Sequence, residues 1–182
     1  MLLLLIVILL VPAITDRSTA QRNGAPSALP VGSAPGTPPP LTGTPREQAD
    51  RLFDRIMRAR ARGDAAEALR FTPMAIQAYG LAAPLDNDGM YHLATVHLVA
   101  GDPASARSTA EQILAGNENH LLGLAIAGEA AAAAGDSAAA RDYYARLLAA
   151  YDTQIASGLQ EYRDHSQVLP EYRATAQRIT GG

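Results

Sequence analysis

The feature that most constrains the fold of this chain is a stretch that repeats at a fixed interval. Gly101-Asp102 recurs as Gly135-Asp136, and the residues around the two pairs match at the same offset. The matching pairs are Ala94 and Gly128, Ala106 and Ala140, Arg107 and Arg141, Ile113 and Leu147, and Leu114 and Leu148. Self-similarity at a fixed interval is typical of proteins built from stacked units, each unit being one small group of secondary-structure elements.

A third, looser copy precedes these two and begins at Gly63-Asp64. In all three copies alanines stand at the third and fifth positions after the glycine. These alanines are Ala66 and Ala68, Ala104 and Ala106, and Ala138 and Ala140. Units of about 34 residues with a helix–turn–helix pattern resemble the tetratricopeptide repeat (TPR), whose units stack into an α-solenoid. The resemblance covers residues 46–152.

The resemblance implies an all-α fold for residues 45–182, with about three TPR-like helical hairpins and C-terminal capping helices forming a short α-solenoid. It implies that small residues pack where the helices of the repeats cross. The residues at these positions are Ala68, Ala94, Gly101, Ala106, Gly128, Gly135 and Ala140. It also implies a scaffold that binds other proteins. TPR domains that hold chaperone tails use a clamp of Lys, Asn and Arg; because this chain contains no Lys, that function is not carried over.

Capping and proline signals predict where the helices begin and end. Thr44 precedes Pro45 and is the expected N-cap of the first helix, since proline is tolerated in the first helical turn. Asp88 is the expected N-cap of the third helix, and Pro73 is expected to kink or split the second helix near Phe71. The remaining predicted helices are Ala65–Leu81, Met90–Ala100, Pro103–Gly116, Leu121–Ala134, Ser137–Tyr151, Gln154–His165 and Pro170–Ile179.

Arginines follow one face of the first helix at steps of three and four positions. They are Arg51, Arg55, Arg58 and Arg62. One interpretation is a solvated face with ion pairs along the helix; the other is a docking surface for a partner or for lipid headgroups. These arginines are the candidate partner contact, together with Pro38, Pro39 and Pro40 of the preceding segment. Glu129, the only charge in a run of small residues, is expected to be solvated.

The first segment, residues 1–15, predicts a membrane anchor or a signal segment. Leu2 to Ile14 is apolar throughout, yet a helix of this length reaches about 20 Å, short of the ~30 Å hydrocarbon core of a bilayer. Ser18-Thr19-Ala20 offers small residues for signal cleavage, whereas the absence of a basic residue before the apolar run favours an uncleaved anchor. We expect residues 2–14 to contact membrane lipid as a single N-terminal anchor in a bacterial cell membrane, with the repeat domain on the periplasmic side.

Residues 16–44 form a tether rich in Pro, Ser and Gly. The segment has little apolar surface to bury and ends in a proline run that favours an extended polyproline II conformation. It is either a disordered spacer or a strap that lies along a partner, since prolines reduce the entropy lost on binding.

The composition excludes several classes of chemistry. The chain has no Cys, which removes disulfides, thiolate metal sites and Cys nucleophiles, and its net charge of −3 gives no field for nucleic acid. His92 and His97 are five positions apart, so they do not share the face of a helix that a metal pair needs. The sequence contains no G-x-S-x-G elbow, no P-loop and no G-x-G-x-x-G motif. We therefore expect no cofactor, no metal and no enzymatic activity.

Two functions remain open, with an uncharacterised enzyme as a third. The first is a membrane-tethered scaffold or adaptor, a structural or assembly subunit of a larger integral-membrane complex, for instance of respiratory or photosynthetic type. The second is a secreted or periplasmic binding protein released by signal cleavage. The absence of Lys, with abundant Ala, Gly and Pro, is typical of a GC-rich bacterial gene.

Overall fold

Helices account for most of the part of the chain that the structure describes. The structure is a computed structural model and describes residues 43–181, in which eight α-helices follow one another with no strand. Their bounds are α1 Pro45–Ala61, α2 Ala65–Leu81, α3 Asn87–Val99, α4 Pro103–Gly116, α5 Leu121–Ala133, α6 Ser137–Ala156, α7 Gln160–Asp164 and α8 Leu169–Thr180.

The first six helices form three antiparallel hairpins, α1–α2, α3–α4 and α5–α6. The second helix of each hairpin also packs against the first helix of the next, so α2 contacts α3 and α4 contacts α5. Beyond the hairpins, α8 packs against α6 and touches α5. This architecture confirms the predicted all-α, TPR-like fold with three hairpins and C-terminal capping helices.

The Gly-Asp pairs that reveal the repeat form the turn inside each hairpin. Gly63, Gly101 and Gly135 have φ angles of 75°, 77° and 80°, in the left-handed region that residues with a Cβ avoid. The aspartate that follows each glycine is the N-cap of the second helix, and its carboxylate accepts a hydrogen bond from the backbone N–H three positions later, over 2.9–3.0 Å. The repeated pair therefore ends one helix and begins the next.

Small residues allow the helices of the third hairpin to approach closely. A Cβ added to Gly128 would lie 3.0 Å from Cζ of Tyr144 on α6. Ala106 and Ala140 are also buried, with 0% and 2% of their surface exposed, and so are Ala68 and Ala94. Gly101 and Gly135 do not lie at a helix crossing as expected: both are exposed, and an added Cβ would meet nothing within 4 Å. Their positive φ, rather than packing, requires glycine.

Three local expectations are wrong or incomplete. The α2 helix continues unbroken through Pro73. Proline has no N–H to donate to the carbonyl of Leu69, and this carbonyl instead accepts a hydrogen bond of 2.9 Å from the hydroxyl of Thr72. The N-cap of α3 is Asp86, not Asp88. The α6 helix runs beyond Tyr151 to Ala156, so the helix predicted over Gln154–His165 is divided between the end of α6 and α7.

The N-cap predicted at the start of α1 is confirmed. The hydroxyl of Thr44 accepts the N–H of Glu47, and the Glu47 carboxylate accepts the N–H of Thr44 at 2.8 Å, which completes a capping box. The predicted anchor (1–15) and nearly all of the tether (16–44), including Pro38, Pro39 and Pro40, lie outside the described residues. Of the helices between residues 43 and 181, none has both the length and the apolar character to cross a membrane.

Candidate functional site

A cavity of about 520 Å³ lies between the first helices of the three hairpins and the C-terminal segment, which comprises α7, α8 and the residues between them. We call it the inner cavity. Its lining comprises Phe53, Met57 and Arg60 of α1; Tyr91, Thr95 and Leu98 of α3; Glu129 and Ala133 of α5; and His165, Val168 and Tyr172 of the segment that follows α7. On each of the three hairpin helices these residues are spaced by three or four, so each helix presents one face to the cavity.

The C-terminal segment closes one side of the inner cavity. The hydroxyl of Tyr172 on α8 lies 3.0 Å from the hydroxyl of Tyr91 on α3. Tyr91 is buried, and its burial raises the pKa of the phenol to about 12. The contact joins two neutral phenols, so it does not depend on pH in the physiological range.

Among the described residues, Glu129 is the one carboxylate that lines the inner cavity. It is half-buried, and burial raises the pKa of its carboxyl, an effect that the positive charge of Arg60 partly offsets. No residue between 43 and 181 donates a hydrogen bond to it. Glu129 is less solvated than predicted, because it lies in the inner cavity, which Tyr172 of α8 also lines. A half-buried carboxylate that lines a cavity is a candidate acceptor for a ligand.

A polar cluster at the rim of the inner cavity contains Asp88, His92 and His165. Oδ1 of Asp88 lies 2.8 Å from Nε2 of His165 and 3.8 Å from Nε2 of His92. The ring of Phe53 stacks on His92 at a centroid distance of 3.9 Å, and Tyr91 meets His165 edge-on at 4.7 Å. Both imidazoles are therefore held in place by aromatic neighbours.

Arg46 joins the start of α1 to the start of α3 beside this cluster. Its guanidinium contacts Asp50 at 2.9 Å, Asp86 at 2.6 Å and Asp88 at 2.6 Å. Asp50 also accepts a hydrogen bond of 2.9 Å from the hydroxyl of Tyr79. Although burial opposes it, hydrogen bonding to Arg46 and to the Gly89 N–H lowers the pKa of Asp86.

A second set of contacts holds α7 against the start of α5. His120 is the N-cap of α5, and its Nδ1 accepts the N–H of Gly123 at 3.3 Å. Nε2 must then carry the proton, and it donates to the carboxylate of Glu161 at 2.7 Å. The hydroxyl of Tyr162 accepts the N–H of Leu121 at 3.1 Å. The C-terminal segment is therefore attached to the hairpins at two places.

The arginine face of α1 is partly paired within the chain. Arg55 and Arg62 both contact the carboxylate of Glu67 on α2, at 2.8 Å and 2.7 Å, and the Arg55 guanidinium lies 3.9 Å from the ring centroid of Phe71. Arg58 lies 3.8 Å from Asp54 and is mostly exposed. Arg51 is half-buried on the same helix. The role of these arginines as a partner contact stays a prediction.

The sequence contained one overlooked signal for the polar cluster. The pair His92 and His97 lacks the i, i+4 spacing, whereas Asp88 and His92 have it, and this spacing places two side chains on one helical face. His165 lies four helices later in the chain than His92, and no spacing rule connects them. The fold-back of the C-terminal segment brings His165 to this face.

Comparisons with known proteins identify similar solved structures. No protein-family model matches the chain, and no curated protein matches it. The TPR domain of Sgt2 from Aspergillus fumigatus is similar with a TM-score of 0.46 and 18% identity; the match covers 74% of this chain and 80% of that one. The first TPR domain of human RPAP3 is similar with a TM-score of 0.41 and 17% identity, covering 71% of this chain and 95% of that one. The three hairpins and their Gly-Asp turns give the chain its TPR-like fold.

Proposed function

We propose that this chain is a non-catalytic scaffold that binds a segment of another protein in the inner cavity. The observation that carries the proposal is the lining of that cavity, to which the first helix of every hairpin contributes. A surface formed jointly by consecutive repeats is how solenoid proteins bind extended partners. The fold alone does not specify a function, so the proposal depends on the chemistry of these side chains.

The lining defines the chemistry of the partner segment. Phe53, Met57 and Leu98 provide apolar surface, and Glu129 provides a half-buried negative charge. A segment that inserts an aliphatic side chain ending in a positive charge, as Arg and Lys do, would cover the apolar wall and pair with Glu129. Pairing would also compensate for the burial of the Glu129 carboxylate.

Filling the inner cavity tests this part of the proposal. Ala133 is exposed and lines the cavity, whereas Ala132 is exposed on the same helix outside the lining. We expect Ala133→Trp to abolish co-purification of the native partner from membranes and Ala132→Trp to leave it unchanged. Equal co-purification with both variants would contradict binding in the cavity.

We further propose that residues 2–14 anchor the scaffold in a bacterial membrane, with the repeat domain on the periplasmic side. The scaffold would then be a structural or assembly subunit of a larger integral-membrane complex, of which respiratory and photosynthetic complexes are examples. The apolar run supports the anchor, and its length of about 20 Å against a ~30 Å core favours packing against other transmembrane helices. The proline-rich tether supports a strap along the complex.

The intact mass of the native protein separates this proposal from the alternative of a released binding protein. A mass that includes residues 1–20 supports the anchor, and a chain that starts at Gln21 contradicts it. Replacing residues 35–45 by a Gly/Ser segment of equal length then tests the strap. We expect this replacement to weaken co-purification; unchanged assembly would make the segment a spacer only.

A further inference from the structure

We propose that Asp88, His92 and His165 bind a divalent transition-metal cation such as Zn²⁺, which fastens the C-terminal segment to α3. The three side chains come from two parts of the chain. Asp88 and His92 lie one turn apart on α3, and His165 follows α7. Two imidazoles and one carboxylate are a common set of protein ligands for zinc.

The distances between the donor atoms fit a shared ion. One ligand atom from each residue can be chosen so that all three lie within 4.8 Å of one another, and Oδ1 of Asp88 lies 2.8 Å from Nε2 of His165. Zinc binds nitrogen and carboxylate oxygen at about 2.0–2.2 Å, so two donors on one ion lie roughly 3.3 Å apart in a tetrahedral site. The separations between the donor atoms therefore need to shorten by less than about 2 Å to match a tetrahedral site.

A neighbouring carboxylate orients His92 as a ligand. Nδ1 of His92 lies 3.4 Å from Oδ1 of Asp50, while Nε2 faces Asp88. A proton on Nδ1 directed at Asp50 leaves the lone pair of Nε2 on the side of Asp88 and His165. Metal-binding histidines generally have such a carboxylate or carbonyl partner on their second nitrogen. Asp50 is itself fixed by the hydroxyl of Tyr79 at 2.9 Å.

The charges around the cluster balance a divalent cation. Asp50, Asp86 and Asp88 contribute three negative charges and Arg46 contributes one positive charge, so the group carries −2 when both imidazoles are neutral. Arg46 contacts Oδ2 of Asp88 at 2.6 Å, which leaves Oδ1 as the metal ligand. A bound M²⁺ would make the group neutral.

The ligand set favours a transition metal over calcium or magnesium. Ca²⁺ and Mg²⁺ prefer oxygen donors, and two of the three ligands here are imidazole nitrogens. Three protein ligands leave a fourth position for water. His165 also lines the inner cavity, so the metal would hold the wall that the C-terminal segment adds to that cavity.

Zinc titration of the full chain, produced without a polyhistidine tag, tests the site. We expect calorimetry to give one Zn²⁺ per chain, and Zn²⁺ to raise the temperature of thermal unfolding, since a ligand that binds the folded state stabilises it. Excess Ca²⁺ or Mg²⁺ should not compete. The absence of zinc binding at concentrations on the order of 100 μM would overturn the proposal.

Variants locate the ion. We expect His165→Gln and His92→Gln each to weaken zinc binding at least tenfold, and Asp50→Asn to weaken it about 10–100-fold through loss of orientation. His97→Gln is the matched control, because His97 lies on α3 outside the cluster, 3.8 Å from Asp102. Circular dichroism in the absence of zinc checks that each variant is folded. Unchanged affinity in both folded cluster variants, or loss of affinity in His97→Gln, would overturn the assignment.

Discussion

The hydroxyl oxygens of Tyr91 and Tyr172 lie 3.0 Å apart, and this hydrogen bond joins the second hairpin to the last helix of the chain. The two residues are 81 positions apart in sequence. Burial raises the pKa of both phenols, to about 12 for Tyr91. The last helix is therefore more than a polar cap on the solenoid: it forms a wall of the inner cavity.

Removing one hydroxyl should loosen this wall without unfolding the hairpins. We expect Tyr172→Phe to lower the free energy of unfolding by about 1 kcal/mol, since it leaves the Tyr91 hydroxyl without its partner. Amide hydrogen exchange should accelerate in α8 and remain slow in α1 and α2. A double-mutant cycle with Tyr91→Phe isolates the pairwise energy, and a coupling near zero would contradict a stabilising role.

Gly128 provides a test of how closely the helices of the third hairpin pack. A Cβ at this position would lie 3.0 Å from the ring of Tyr144, so Gly128→Ala should destabilise the protein by about 1–3 kcal/mol through overpacking. Gly80 is the matched control, because it is also helical and a Cβ there would meet nothing within 4 Å. Gly80→Ala should instead stabilise by roughly 0.5–1 kcal/mol. Denaturant unfolding of the two variants measures both effects, and changes of the same sign would show that packing at Gly128 does not decide the outcome.

The sequence predicted the parts of the fold that depend on local or repeated signals. Gly135-Asp136 specifies its turn through a positive φ and an N-cap, and both requirements are met by residues that are adjacent in the chain. The N-cap at Thr44 is local in the same way. Such features need no knowledge of tertiary structure.

The candidate site could not be predicted, because it depends on contacts between distant segments. His165 meets Asp88 across 77 positions only because the C-terminal segment folds back over the hairpins. Glu129 belongs to a run of alanines that suggests close helix packing, and nothing in that run indicates that its carboxylate lines a cavity that α8 completes. The repeat period predicted the hairpins, and it does not extend to the segment that completes the cavity.

Arg55 and Arg58, on the arginine face of α1, differ in their contacts within the chain, and substitutions should distinguish them. Arg55 contacts Glu67 at 2.8 Å and lies over the ring of Phe71, so Arg55→Gln should cost about 1 kcal/mol of stability. Arg58 is 65% exposed with a single distant carboxylate, so Arg58→Gln should change stability by less than about 0.5 kcal/mol. Thermal denaturation compares the two.

The same pair of variants tests the predicted partner contact. If the face binds an acidic partner or lipid headgroups, Arg58→Gln should weaken co-purification at low salt, and the effect should diminish at about 1 M salt, where the Debye length falls to about 3 Å. Co-purification that is independent of both salt and Arg58 would exclude this face as a docking surface.

Replacing the carboxylate of Glu129 by an amide should change the stability of the protein and its binding to a partner in opposite directions. Burial raises the pKa of this group above its ordinary value of 4.5. The folded protein therefore binds the proton more tightly than the unfolded chain does. Binding of this proton stabilises the folded protein below pH 4.5, and the stabilisation is lost as the pH rises through the folded-state pKa of Glu129. At pH 7 the buried charge is a cost that Glu129→Gln removes.

We expect the Glu129→Gln variant to unfold at a higher temperature than the parent at pH 7, with the difference disappearing as the pH falls below 4.5. Glu118→Gln, in the exposed loop before α5, is the control and should show no such dependence. If Glu129 pairs with a basic side chain of the partner, the more stable variant should nevertheless bind that partner less well, a trade-off typical of residues retained for function. A variant that is no more stable at pH 7, or that binds the partner as well as the parent does, would contradict this role for Glu129.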